Sequence, residues 1–203
     1  NHYTTAYDMA ILARAIVRDS AHYYPIYSEK EFTFNNIKQG NRNALLFTDP
    51  SVDGLKTGHT EEAGYCLVAS SKRGNMRLIS VVMGTNSMQA RADQTRALFS
   101  WGFANYESAV LQTAGGVLAT PKVWFGKGDL VKAGLATDLA VTLPRGQREK
   151  VKTELVVDAE VDAPIAKGQQ LGKVNAVLDG KIIASQPLVA MEPVEEASFF
   201  VRI

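Results

Sequence analysis

The stretch from Tyr65 to Met83 constrains the fold more than any other part of this chain. Tyr65-Cys66-Leu67-Val68-Ala69-Ser70 and Met76-Arg77-Leu78-Ile79-Ser80-Val81-Val82-Met83 are both strand-like, and Lys72-Arg73-Gly74-Asn75 between them reads as a hairpin turn. Their apolar residues run almost continuously. A strand with one wet face alternates apolar and polar residues, whereas a continuous run needs both faces covered. The pair therefore predicts a central antiparallel sheet with helices laid against it.

Two helices are available for that role. Thr5-Ala6-Tyr7-Asp8 fits a capping box, with Asp8 suited to the positive helix end. Met9, Leu12, Ala13, Ile16 and Val17 then fall on one stripe of a helix ending near Arg18. A second helix fits Met88 to Trp101, stopped by Gly102. Between Ser20 and Pro50 the chain is rich in Tyr, Asn and Gly and predicts loops with short strands such as Glu31-Phe32-Thr33-Phe34.

After about Ser108 the pattern changes. Val123-Trp124-Phe125, Leu139 to Leu143 and Leu155-Val156-Val157 are short strands with no helical stripe among them. Val174, Ala176 and Leu178 alternate up to Asp179-Gly180, which suits a two-residue type I′ turn into Ile182-Ile183. Short strands at such spacing predict a small all-β sandwich or barrel. The expected class is α+β, with an antiparallel sheet and helices over residues 1–107 and a β-sandwich over 108–203.

Composition excludes several functions. The 22 basic and 21 acidic residues give a net charge of +1, with no basic stripe, which argues against a nucleic-acid partner. A single cysteine, Cys66, permits no internal disulfide, and its place in an apolar run assigns it to the core rather than to a nucleophile's role. His2 and His22 lack metal-ligand spacing, so no metal is expected. No apolar run approaches the ~20 residues that span a bilayer. Glu195-Glu196 reads as a solvated acidic pair and Phe199-Phe200 as an exposed patch. The first residue is Asn1, so the chain reads as a mature or truncated product.

Chemistry concentrates in Val52-Asp53-Gly54-Leu55-Lys56-Thr57-Gly58-His59-Thr60. A lysine, a hydroxyl residue and a glycine on one strand suit the edge of an acyl-transfer site. The ammonium supplies charge for a substrate carboxylate or for proton transfer. Thr57 adds a hydroxyl donor, and Gly58 lets an extended substrate lie against the strand. Alone, the tripeptide is a weak signal, better accounted for by a surface turn before a strand.

Its flanks extend the pattern. Asn41-Arg42-Asn43-Ala44-Leu45-Leu46, the string from Val52 to Thr60, Ala63-Gly64-Tyr65, Thr5 to Ala10, Tyr27 to Lys30, Arg77 to Gly84 and Trp101-Gly102-Phe103 together resemble the low-molecular-mass penicillin-binding proteins, in particular the D-alanyl-D-alanine carboxypeptidases. Val123 to Gly126, Ile165 with Gly172, Leu178 to Lys181 and Pro187-Leu188-Val189 resemble that family's β-rich second domain. The resemblance preserves order over essentially the whole chain.

It implies a penicillin-binding transpeptidase-like domain followed by the β-sandwich. It also implies serine acyl-enzyme chemistry on peptidoglycan stem peptides ending in D-Ala-D-Ala, β-lactam inhibition and no cofactor. The implied setting is the bacterial periplasm, on the outer face of the inner membrane, through a C-terminal anchor not present in these residues. Of the family's three motifs only Lys-Thr-Gly is here. Ser-x-x-Lys is absent and no usable Ser-x-Asn occurs, so both are expected upstream of Asn1. Lys56, Thr57 and Gly58 would line the substrate edge, and the backbone N–H of His59 would complete the oxyanion hole. Thr60 would add a hydroxyl to the carboxylate pocket. Arg42 and Arg91 would bind the terminal carboxylate or hold the Lys-Thr-Gly edge, with a structural ion pair as the alternative for each. A non-catalytic peptidoglycan-associated scaffold and a β-lactamase are the competing functions, and the appended β-domain argues against the latter.

Overall fold

Thr5 starts the first helix as its residue type predicts: Thr5 Oγ1 accepts from the Asp8 N–H at 3.1 Å and closes the cap. The computed structural model describes residues 3–158 and 160–198. His2, Phe199 and Phe200 lie outside the described residues. The chain divides into two units, Asn1–Tyr106 and Glu107–Ile203.

The first unit comprises α1 (Ala6–Asp19), a 3-10 turn at Tyr24–Ser28, a hairpin of β1 (Glu31–Phe34) and β2 (Ile37–Gly40), α2 (Leu45–Thr48), β3 (Val52–Thr60), β4 (Gly64–Arg73), β5 (Met76–Thr85) and α3 (Met88–Asn105). Among the described residues, β3, β4 and β5 form an antiparallel sheet in that order. The continuous apolar runs are sorted by the pleat. Leu67, Ala69 and Met76 join Ala92, Phe99 and Phe103 of α3 on one face. Val68, with Ile79 and Val81, joins Ala13, Met9 and Ile16 of α1 on the other. The sheet lies between two helices, which is why neither face of β4 alternates with polar residues. A fully buried leucine such as Leu67 contributes roughly 2–3 kcal/mol at such a position.

Three local expectations are corrected. Gly102 does not stop α3, which runs to Asn105. An added Cβ there would meet Leu78 Cδ1 at 2.6 Å, so the missing side chain serves close helix–sheet packing. Lys72 and Arg73 continue β4, leaving only Gly74 and Asn75 in the turn. The loop region from Ser20 to Pro50 also contains the 3-10 turn and α2, which a four-residue apolar segment is too short to announce.

The second unit comprises β6 (Tyr106–Gln112), β7 (Val117–Ala119), β8 (Lys122–Trp124), β9 (Ala133–Leu135), β10 (Leu139–Pro144), β11 (Lys152–Val157), β12 (Glu160–Asp162), β13 (Gln170–Leu178) and β14 (Lys181–Ala190). A sheet in the order β11-β13-β14-β9-β7 forms one layer, and β10, paired with β6, packs on β13 and β14. Leu139, Val141 and Leu143 of β10 point into the shared core, where Leu171, Val174, Ala176 and Leu188 meet them, while Ala140 and Thr142 stay exposed. Asp179 and Gly180 have φ of 49° and 75°, as a two-residue type I′ turn between paired Leu178 and Lys181 requires. Gly172 takes φ 150° where an added Cβ would meet the Val156 carbonyl oxygen at 2.2 Å. Glu195, expected to be merely solvated, pairs with Lys127, which holds its carboxyl below the usual range. Among the described residues, no helix is long and apolar enough to cross a membrane.

Candidate active site

Lys56, Thr57 and Gly58 occupy the middle of β3, the edge strand of the first unit's sheet. Among the described residues β3 pairs only with β4, with Lys56 opposite Val68, Thr57 opposite Leu67 and Gly58 opposite Cys66. An edge strand leaves a row of backbone donors and acceptors open to an added strand. Lys56 and Gly58 share the face of α1, because directly opposed residues of an antiparallel pair project to the same side and Val68 packs against α1. Thr57 and His59 share the face of α3, where Leu67 lies.

Lys56 is exposed, and its Nζ donates to the Thr57 carbonyl at 2.5 Å. It borders a cavity of about 180 Å³ with Met9, Leu12, Ile16, Tyr27 and Leu55. A second cavity, of about 160 Å³, is bordered by Lys56, Thr57, Gly58, Cys66, Met9 and Val81. At Gly58 an added Cβ would come no closer than 3.9 Å to Cys66 Cβ, which is ordinary contact. This chain's own packing therefore does not require glycine at that position.

His59 is exposed and its ring lies over Tyr65, with centroids 3.9 Å apart. Thr60 ends the strand, and its Oγ1 accepts from the Ala63 N–H at 3.0 Å, closing the turn into β4. Cys66 is half-buried rather than deep in the core, and its thiol donates to the Ala63 carbonyl at 3.4 Å. Cys66 stands opposite Gly58 in the β3–β4 pair.

Arg91 lies on the first turns of α3, under the end of the strand, and is buried. Its Nη1 donates to the carbonyls of Gly58 at 3.4 Å and Cys66 at 3.5 Å, and its Nη2 donates to the Arg42 carbonyl at 3.1 Å. Burial pulls its pKa down from the ordinary guanidinium range, yet a guanidinium stays charged in proteins. Arg42 is exposed and close enough to Arg91 for the two charges to repel. Among the described residues, neither arginine has a carboxylate within ion-pair distance, so the structural ion pair considered for each is not what holds them.

Several residues around this edge carry no signal as part of a site in the sequence. Asn43 is buried, and its Nδ2 donates to the Gly54 carbonyl at 3.0 Å. Tyr24, from the 3-10 turn, donates to Asp53 at 3.3 Å, and Arg77 of β5 bonds Asp53 at 2.7 Å and Ser70 Oγ at 2.6 Å. Burial pushes the Tyr24 phenol up to about 12, keeping it a neutral donor. The one available clue was an arginine inside the apolar run of β5.

Residues 1–87 match the family model described as D-alanyl-D-alanine carboxypeptidase, and residues 106–196 match that of the penicillin-binding protein 5 C-terminal domain. The chain is 44% identical to D-alanyl-D-alanine carboxypeptidase DacA of Escherichia coli K12, over 99% of its own length and 50% of the relative's. It is 47% identical to the DacA of Haemophilus influenzae, over 100% of its length and 52% of the relative's. Penicillin binding protein 5 of Haemophilus influenzae shares its structure with a TM-score of 0.78 at 48% identity, covering 97% of this chain and 58% of the other. The chain thus spans about half the length of the curated relatives it matches. With an exposed Lys-Thr-Gly edge strand in one unit and a β-domain matching the family's own in the other, it belongs to the D-alanyl-D-alanine carboxypeptidase family of low-molecular-mass penicillin-binding proteins.

Proposed function

We propose that the intact protein is a serine-type D-alanyl-D-alanine carboxypeptidase, and that these 203 residues supply the substrate-clamping wall of its active site. The supporting observation is the open edge of β3, where a glycine that this chain's own packing does not need follows Lys56 and Thr57 and its carbonyl accepts from Arg91. A serine from outside these residues attacks the carbonyl of the penultimate D-Ala, the terminal D-Ala leaves with its amine protonated, and water hydrolyses the acyl-enzyme. A β-lactam is attacked in the same way and stays attached through its opened ring.

The stem peptide lies along β3 as an added strand. Lys56 supplies positive charge near the nucleophile, and Thr57 and Thr60 supply hydroxyls. Gly58 leaves room for the D-Ala backbone. The N–H of His59 joins that of the serine at the developing oxyanion. Arg42 draws the terminal carboxylate. Arg91 holds the strand from below, since its donors already engage the carbonyls of Gly58, Cys66 and Arg42. The substrate places the enzyme in the bacterial periplasm, at the outer face of the inner membrane, where an anchor outside these residues keeps it.

The test is release of free D-alanine from a peptide ending in D-Ala-D-Ala. The intact protein releases it and this chain alone does not. Release by this chain alone would contradict the assignment of the nucleophile to another segment.

A further inference from the structure

The Lys-Thr-Gly strand is aimed by an irregularity four residues upstream of its threonine. Val52 pairs with Ser71, but the next pair is Gly54 with Ser70, so Asp53 is an extra residue in β3. Such a bulge re-aims the strand beyond it. Regular pairing from Val52 onward would set Lys56 opposite Leu67, on the face of α3. With the bulge, Lys56 stands opposite Val68, on the face of α1. A one-residue slip exchanges the two faces of a strand, so Lys56 and Gly58 would trade sides with Thr57 and His59.

Asp53 is held by side chains from two other segments, β5 and the 3-10 turn. Arg77 Nη1 bonds Asp53 Oδ1 at 2.7 Å and reaches across β4 to Ser70 Oγ at 2.6 Å. Ser70 is itself the residue opposite Gly54 and is fully buried. Tyr24 OH donates to the same Asp53 oxygen, and Arg77 lies over the Tyr24 ring, 5.2 Å from its centroid. An added Cβ at Gly54 would meet Tyr24 OH at 2.6 Å, so the phenol closes directly on the strand. The Asp53–Arg77 pair is partly buried, with about a quarter to a third of each side chain exposed.

We propose that Asp53, Arg77 and Tyr24 are positioning residues that lock the bulge and thereby fix which face of β3 presents Lys56 and Gly58 to the substrate. The inference rests on the acyl-transfer reading of that edge. None of the three needs to touch substrate. Their effect is on the register and aim of the residues that do.

The experiment measures acylation of the intact protein by a fluorescent penicillin, expressed per folded molecule, with thermal midpoints recorded alongside. D53A and R77A should each slow acylation by about tenfold to 100-fold, since displacing reacting groups by about 1 Å can cost on the order of 100-fold. The double variant should be little worse than either single one, because both break one lock. D53N retains an oxygen acceptor for Arg77 and Tyr24 and should recover most of the rate. Where D53A does not fold, R77K and Y24F carry the test, since each removes one bond of the lock and keeps the charge or the ring. Native acylation rates in the folded variants, beside a defective K56A, would overturn the inference alone. Native acylation in K56A would overturn the reading beneath it, and the inference with it.

Discussion

At Gly58 an added methyl group would meet nothing closer than Cys66 Cβ at 3.9 Å, and the backbone is not left-handed there. A glycine inside a strand is destabilising by about 0.5–1 kcal/mol relative to alanine. G58A should therefore leave the thermal midpoint unchanged or slightly raised, while acylation of the intact protein by a β-lactam falls sharply because the methyl occupies substrate space. A lower midpoint with unaltered acylation would make Gly58 a folding residue. Arg91 has the opposite character. Truncating it to alanine leaves the carbonyls of Gly58 and Cys66 without their charged donor and opens a void beneath the strand. R91A should lower unfolding stability by about 2–4 kcal/mol in urea titrations, with R91K in between. An arginine whose main task was to bind the substrate carboxylate would instead raise KM and leave stability nearly unchanged.

Between elements, Asp49 ties the entry of β3 to the end of β4. Its Oδ1 accepts from the Ser51 N–H at 2.9 Å and the Ser51 hydroxyl at 2.6 Å, and its Oδ2 meets Arg73 at 3.3 Å. Burial pushes this carboxyl upward, but the Ser51 bonds and the Arg73 guanidinium outweigh it and hold the pKa below the ordinary 3.8. A carboxyl depressed in the folded state stabilises fully above its unfolded value, and that contribution is lost as pH falls through the lower folded value. Between about pH 5 and 3, then, D49N should lose stability less steeply than the native chain in chemical unfolding experiments. An identical slope would show that Asp49 is not differentially protonated. The elements themselves were largely legible in the sequence. The capping box, the apolar stripe of α1, the two covered strands and the Asp179-Gly180 turn all follow from local residue chemistry. What was hidden is non-local. The end of α3 depends on how Gly102 meets Leu78, and Arg91 finds its carbonyls 25, 33 and 49 residues away. No periodicity encodes such pairings, and the Asp53–Arg77–Tyr24 lock was invisible for the same reason.

At the scale of the whole molecule, the chain unites a helix-covered sheet whose edge strand carries a clamping motif with a separate β-domain of the family's own type. The nucleophile is assigned to a part of the protein beyond these residues, which match about half the length of their relatives. Lys56 is the residue on which that account converges, exposed on the open strand and bordering two cavities beside it. The most direct measurement is the rate at which a fluorescent penicillin labels the intact protein and its K56A variant. The account predicts rapid covalent labelling of the native protein and, at an unchanged thermal midpoint, loss of labelling by a factor of about 100 or more in K56A. Equal labelling of the two proteins would contradict it.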